Sequence, residues 1–343
     1  MSSPTRPTLG QVAQLAGVSV ASVSRVLNDL PASAEMAARV RAAVDELGYV
    51  PDAMARSLKV RRTEQLALVV ADVGNPVYVT MMHAVAAAVR TSGYRLVLST
   101  DQSDPDEEMR ILQGLSHGYA DGLILSPLRV TDALLTELRQ PRLPTVVIGT
   151  VPDDLPVDNV RADSARGIGL AVKHLIATGR RSIGFINGPL DTVPGAARQR
   201  GFDRAARRLG LDRDECPRIA AQDFTFAAGR LAARELLSAH RPDALVCAND
   251  LLAVGVIHEL DSMGLKVPQD MAVAGMDDTD LAEMVFPGLT SVSLGSADRG
   301  TIAATLLLER IKDPARAPRR VTVAPHLVVR GSTAAPLRVV RDD

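Results

Sequence analysis

The chain has 343 residues, more than one ordinary core accommodates, and so divides into two or three domains. Its 46% hydrophobic and 23% charged residues are those of a soluble globular protein, and no apolar run is long enough to span a membrane. The formal net charge of −1 hides an asymmetry: residues 1–62 hold eight Lys/Arg against five Asp/Glu, a basic head on an acidic body, which suits a head that binds a polyanion. The segment before Leu9 contains Pro4, Arg6 and Pro7 and no apolar run, so no export signal is expected. Only Cys216 and Cys247 are present, which excludes a disulfide framework and points to the cytoplasm.

Three short helices are expected in the head. Thr8 opens a capping box with Gln11, and Leu9, Val12, Ala13 and Leu15 follow at helical spacing until Gly17 ends the helix. Ser19 caps a second helix with Val23, Val26 and Leu27 on its buried face. Pro31 breaks the chain. Ser33 then caps a third helix through Leu47, with Met36, Ala37, Val40, Val44 and Leu47 inward and Gly48 at its end. A tight glycine-containing turn between the first two makes a helix-turn-helix unit, whose second helix enters the major groove of DNA.

On that helix Val20, Ala21, Ser24 and Arg25 take the outer positions. Two small residues at the tip allow close approach, and Arg25 has the fork to bond O6 and N7 of a guanine. Ser19, Ser22 and Ser24 suit phosphate oxygens, and Thr8 and Asn28 complete the DNA-facing set. Taken singly, the serines cap a helix and Arg25 is an ordinary surface charge; the whole turn-plus-helix pattern carries the DNA-binding reading. The following "PDAMARSLKVRR" is capped by Asp52 and too brief to be helical alone.

From Leu66 the pattern changes. Short apolar runs ("LALVVADV", "YRLVLST", "DGLILS", "PTVVIGT", "SIGFINGP", "DALVCAND", "MAVAGMDD") alternate with helical stretches such as "VTMMHAVAAAVRTSG", "GIGLAVKHLIATG" and "AAGRLAARELLSAH". Alternating strands and helices mean parallel α/β sheets, here enough for two doubly wound units. Ligands in such folds gather at the carboxyl ends of strands. Asp72, Asn75, Asn187, Asn249, Asp250, Asp277 and Asp278 all stand there, as candidates for one cleft.

Enzyme readings find no constellation. "HELDS" at His258 lacks the second His of a zinc motif, and no G-x-S-x-G occurs. "GIGLAV" at Gly167 has two of three fingerprint glycines, and "DQSDPDEE" at Asp101 lacks the turn glycine of a calcium loop. No catalytic residue, metal or cofactor is expected.

"TLGQVAQLAGVSVASVSRVLN" and "GYVPDAMARSL" resemble the DNA-binding head of the lac-repressor/galactose-repressor family. The resemblance continues in the family's order through "VVADVGNPVY", "HLIATGRRSIGFINGP", "RQRGF", "CANDLLAVGV", "VAGMDDTDLAEMVFPGLTSV" and "LVVRGST", over about residues 8–333. It implies a head over 1–50 and a hinge helix and linker over 51–62. Ala55 and Leu58 would meet DNA there, with Leu58 wedged into the minor groove to bend the duplex. Asp52 stands where the family often has Asn.

The resemblance also implies an effector and dimerisation body over 63–335, of periplasmic-binding-protein type, and a short tail over 336–343. Its N-lobe would comprise about 63–160 and 291–318, its C-lobe about 161–290 and 319–335. Between them Arg198 would bond sugar hydroxyls or carry an anionic ligand group, Asn249 and Asp277 would make polar contacts, and Phe224 would stack on a ring unless it is plain core. Asn75, Tyr78 and Ser126 would line the N-lobe side, and Asp278 reads as a turn cap. Gly149 and Leu294 replace polar residues of the family and make the cleft less polar.

The function so implied is a sequence-specific regulator, a repressor by type, that binds pseudo-palindromic operator DNA as a homodimer and is controlled by a small effector, a sugar or sugar derivative. The tail "PLRVVRDD" has no heptads, which favours a dimer over a tetramer. The alternative is a cytoplasmic small-molecule binding protein without regulatory DNA binding.

Overall fold

The computed structural model describes residues 7–28, 30–50, 62–211 and 216–334. The expected hinge helix, with Ala55 and Leu58, lies outside these residues, as does the tail. The chain forms two units, residues 1–63 and 64–343.

The first unit is built from α1 (Leu9–Ala16), α2 (Val20–Leu27) and α3 (Ala34–Leu47). Thr8 and Gln11 close the capping box at the start of α1, and Gly17 ends it at φ 65°, a conformation that suits glycine. Ser19 and Ser33 cap α2 and α3 through the backbone N–H of Ser22 and Met36. Val12, Ala13, Ala16, Val23, Val26, Val40 and Ala43 form the core. Leu15, expected on the inner face of α1, is 46% exposed. At roughly 100° per residue it stands about 110° from the centre of the stripe made by Val12, Ala13 and Ala16, and an eight-residue helix buries only that stripe.

The second unit holds two six-stranded sheets. The first runs in the order β11 (Arg320–Val323), β5 (Asp158–Ala162), β4 (Thr145–Ile148), β3 (Gly122–Ser126), β1 (Gln65–Val70) and β2 (Arg95–Thr100), all parallel. The second runs β12 (His326–Val328), β10 (Thr290–Ser293), β9 (Ala272–Asp277), β8 (Ala244–Cys247), β6 (Ile183–Asn187) and β7 (Arg218–Ala220), with only β12 antiparallel. Helices cover both faces, so the central strands are buried throughout and read as unbroken apolar runs.

Among the described residues this unit has nine α-helices: α4 (Pro76–Arg90), α5 (Pro105–Leu115), α6 (Asp132–Arg139), α7 (Ser164–Ala177), α8 (Val193–Arg208), α9 (Phe226–Ala239), α10 (Asp250–Ser262), α11 (Leu281–Met284) and α12 (Ser296–Lys312). The chain passes between the lobes three times, at points displaced from those expected. β5 extends the first lobe to Ala162, and β10 pairs with β9, so the return falls after Ser293 rather than at 290. β11 pairs with β5 in the first sheet, so the last passage lies between Val323 and His326 rather than at 318. β11 has no apolar run to announce it. Its place is fixed by polar bonds: Asp158, fully buried, accepts from the Arg319 N–H at 2.8 Å and pairs with the guanidinium groups of Arg319 and Arg310 at 3.1 Å. Among the described residues no helix is long and apolar enough to cross a membrane.

Candidate functional site

The head presents one candidate surface on α2. From the helix period, Val20, Ser24, Ala21 and Arg25 follow one another around an arc of about 140°. Val20, Ala21 and Arg25 are exposed. Ser19 and Ser22 share a hydroxyl hydrogen bond of 3.0 Å, and Asn28 Nδ2 donates to the Ser24 carbonyl at 2.6 Å. These polar groups therefore set the two ends of α2 as well as facing outward. Thr8 is exposed at the start of α1, its side chain engaged with Gln11.

The body presents a cavity of about 110 Å³ between its lobes. The first lobe contributes Asn75, Tyr78 and Ser126, and the second contributes Arg198, Phe224, Asn249 and Asp277, so the structure brings together all seven residues named from the sequence. Each is placed by a local element. Asn75 accepts from the Val77 N–H to cap α4, which puts Tyr78 on the first turn. Ser126 ends β3, and Arg198 projects from the buried face of α8. Asn249 caps α10 through the Leu252 N–H at 2.9 Å and donates to the Phe224 carbonyl at 2.9 Å, so much of its hydrogen-bonding capacity is spent on holding the loop that carries Phe224. Phe224 is both core and cavity wall: it packs in the second lobe's cluster, and its ring fills the space that a Cβ on Gly188 would need.

Asp277 ends β9 with φ 106°, a conformation that costs an aspartate energy and tends to persist where surrounding structure imposes it for function. Its carboxyl accepts from Arg198 Nη2 at 3.4 Å, and the Arg198 guanidinium lies 5.8 Å from the centre of the Phe224 ring. Arg198 and Asp277 are 7% exposed each. Burial pushes the Asp277 carboxyl up, against the pull of Arg198 and Arg299. The Tyr78 hydroxyl is pushed up to about 12, by burial first and the Asp277 charge second, so it stays a neutral donor.

Four of the seven strand-end polar residues stay out of this cavity. Asp72 accepts from the Gly74 N–H, and Asn187 donates to the Gly195 carbonyl. Asp250 accepts from Thr279 and Ser291. Asp278, expected to cap a turn, instead pairs with Arg330 at 2.8 Å. Gly149 and Leu294 do line the cavity, beside Met81, Ile148 and Val193.

One charged lining residue escaped the sequence reading. Arg299, on α12, is 9% exposed and faces the cavity from the first lobe. The signal was present: Arg299, Ala303, Leu306 and Leu307 fall on one buried stripe of the helix, where an arginine is out of place.

A helix-turn-helix unit joined in sequence to a two-lobed body with a polar cavity is the make-up of a ligand-responsive transcription regulator. Residues 8–52 match the family described as bacterial regulatory proteins, lacI family, and residues 172–333 match the periplasmic binding protein-like domain. The ribose operon repressor of Escherichia coli (strain K12) is 37% identical over 336 residues, covering 95% of this chain and 99% of its own. The HTH-type transcriptional repressor PurR of Aliivibrio fischeri (strain MJ11) is 35% identical over 330 residues, covering 95% and 98%. Among solved structures, a lac repressor dimer bound to operator and the anti-inducer ONPF superposes with a TM-score of 0.85 at 26% identity, over 96% of this chain and 100% of that one. The chain belongs to the LacI family of bacterial regulatory proteins. It is a DNA-binding transcriptional regulator rather than an enzyme, and the alternative of a binding protein without DNA recognition falls with the match of its head.

Proposed function

We propose that the protein is a cytoplasmic repressor that binds a pseudo-palindromic operator as a homodimer and releases or grips it according to a small hydroxylated effector, a sugar or sugar derivative, held between the lobes. The observation that carries the reading is the cavity itself: donors and acceptors from both lobes face one space, beside an aromatic ring suited to the apolar face of a sugar. Relatives support the class of ligand. One similar sequence is a ribose operon repressor, and similar solved chains include a CelR–cellobiose complex and a family member with bound ribose.

On this reading Arg25 reads a base edge while Ser19, Ser22, Ser24, Thr8 and Asn28 set the docking of α2 with Val20 and Ala21 against the groove, and Ala55 and Leu58 act at the minor groove. A ligand touching both lobes favours one closure of the body. That closure is the state whose free energy couples to the operator through the two heads of the dimer. A gel shift with the protein's own promoter region, with and without sugars chosen by a thermal-shift screen, tests the reading. Retention of DNA that no ligand alters, or absence of selective DNA binding, counts against it; light scattering that gives a stable tetramer counts against the dimer.

A further inference from the structure

We propose that the effector carries an oxyanion, a carboxylate or phosphate on a hydroxylated ring, and that Arg299 and Arg198 hold it from opposite lobes. The inference rests on the cleft reading above and narrows it.

The charges come first. Two guanidinium groups and one carboxylate line the cavity, and all three are less than a tenth exposed. One positive charge is left over in a place where unpaired charge is costly. The hydrogen bonds agree. A guanidinium has five donors. Arg299 Nη2 donates to Ser296 Oγ at 3.2 Å, and the Nε atoms of both Arg198 and Arg299 have no partner among the described groups. Other buried arginines of this chain are better supplied. Arg310 has the Asp158 carboxylate and the carbonyls of Pro314, Arg316 and Ala317; Arg180, whose Nε is likewise without a partner, still has the carbonyls of Asp243 and Pro268. Arg198 has one long contact to Asp277, and that single carboxylate must serve two arginines.

Electrostatics point the same way. Burial lowers the proton affinity of Arg299; Asp277 opposes that effect and the like charge of Arg198 adds to it. An oxyanion between the guanidinium groups supplies the missing counter-charge, and a planar carboxylate matches their forked donors. A neutral sugar offers hydroxyls to Asp277 but leaves the surplus charge in place. The wall is apolar where Leu294, Ile148 and Met81 stand, while Asn75, Tyr78, Ser126 and Asn249 remain to meet hydroxyls of the ring. Because Arg299 rides on α12 of the first lobe and Arg198 on α8 of the second, an anion bound by both draws the lobes together.

The test uses the full chain and matched probes: D-glucose, D-gluconate, D-glucuronate and D-glucose 6-phosphate, with D-ribose, D-ribonate and D-ribose 5-phosphate. Calorimetric titration at low and high salt gives the affinities. At least one anionic probe is expected to bind about 10- to 150-fold more tightly than its neutral congener, less so at high salt. Arg299→Gln should abolish that preference and Arg299→Lys should keep part of it. Preference for the sugar acid or for the phosphate then distinguishes the two sources of the anion. A neutral congener that binds as tightly as its anion, or a preference that survives Arg299→Gln, overturns the inference. The cleft reading still stands in that case if Asp277→Ala removes neutral-sugar binding, and falls if it does not. Failure of every probe to bind also overturns the inference. A separate readout guards against misfolding: without ligand, Arg299→Met should melt no lower than the parent, because it removes a surplus buried charge, and a large drop makes Arg299 structural and overturns its role.

Discussion

Arg198→Ala is the substitution that most directly tests the cleft. The side chain is 7% exposed, contacts Asp277 at 3.4 Å and lies 5.8 Å from the Phe224 ring centre. Breaking an isolated buried ion pair costs about 3–5 kcal/mol, chiefly because the remaining charge is orphaned. Here the contact is longer than the about 2.7–2.9 Å of a strong charge-assisted bond, and Arg299 still acts on the Asp277 carboxyl, so the loss of stability should be nearer about 1–2 kcal/mol. For a chain of this size that lowers the melting temperature by about 2–8 °C. Ligand affinity should suffer more, since a donor aimed at the ligand is lost: about 1.5–3 kcal/mol, or about 10- to 150-fold. Calorimetric titration with the ligand found by screening, a melting curve and a gel shift without ligand separate these effects. The expected variant binds operator and ignores its effector. A variant that binds the ligand like the parent refutes the cleft assignment, and one that loses DNA binding without ligand makes Arg198 a structural residue.

Other substitutions test other links. Arg25→Ala should reduce the ratio of operator to random-DNA affinity by about 1–3 kcal/mol, measured by competition gel shift; an unchanged ratio removes Arg25 from base recognition. Glu108 is pushed up to about 8 by burial first and by Asp101 second, and Asp250 to about 7 by burial first and Asp277 second. The folded chain thus keeps protons that the unfolded chain releases above its ordinary carboxyl range, so this stability is present at low pH and lost as pH rises toward about 8. Glu108→Gln should flatten the fall in melting temperature between about pH 5 and about pH 8, and an unaltered slope contradicts the assignment. Gly229→Ala should destabilise despite alanine's better helix propensity, because the added Cβ meets the backbone of Leu252 where α9 and α10 touch; denaturant unfolding no weaker than the parent's counts against that packing.

Much of this molecule is written locally. Thr8, Gly17, Ser19 and Ser33 mark the head's helix ends because caps and left-handed turns are fixed by a few neighbouring residues. The seven cavity residues were legible because they sit in motifs whose order the chain shares with its family, and because polar residues at strand ends stand out against apolar runs. What the sequence could not decide depends on partners distant along the chain. Leu15 looked internal until packing selected a narrower stripe of α1. β11, polar and short, joins the first sheet because Asp158, some 160 residues earlier, supplies buried acceptors to Arg319 and Arg310. Asp72, Asn187, Asp250 and Asp278 shared the local pattern of Asn249 and Asp277, yet are taken up by their own turns, caps and ion pairs. Arg299 carried the reverse error: a charge on an apolar stripe acquires meaning only when folding sets it opposite Arg198 and Asp277, since the electrostatic demand of a buried charge depends on what surrounds it in space.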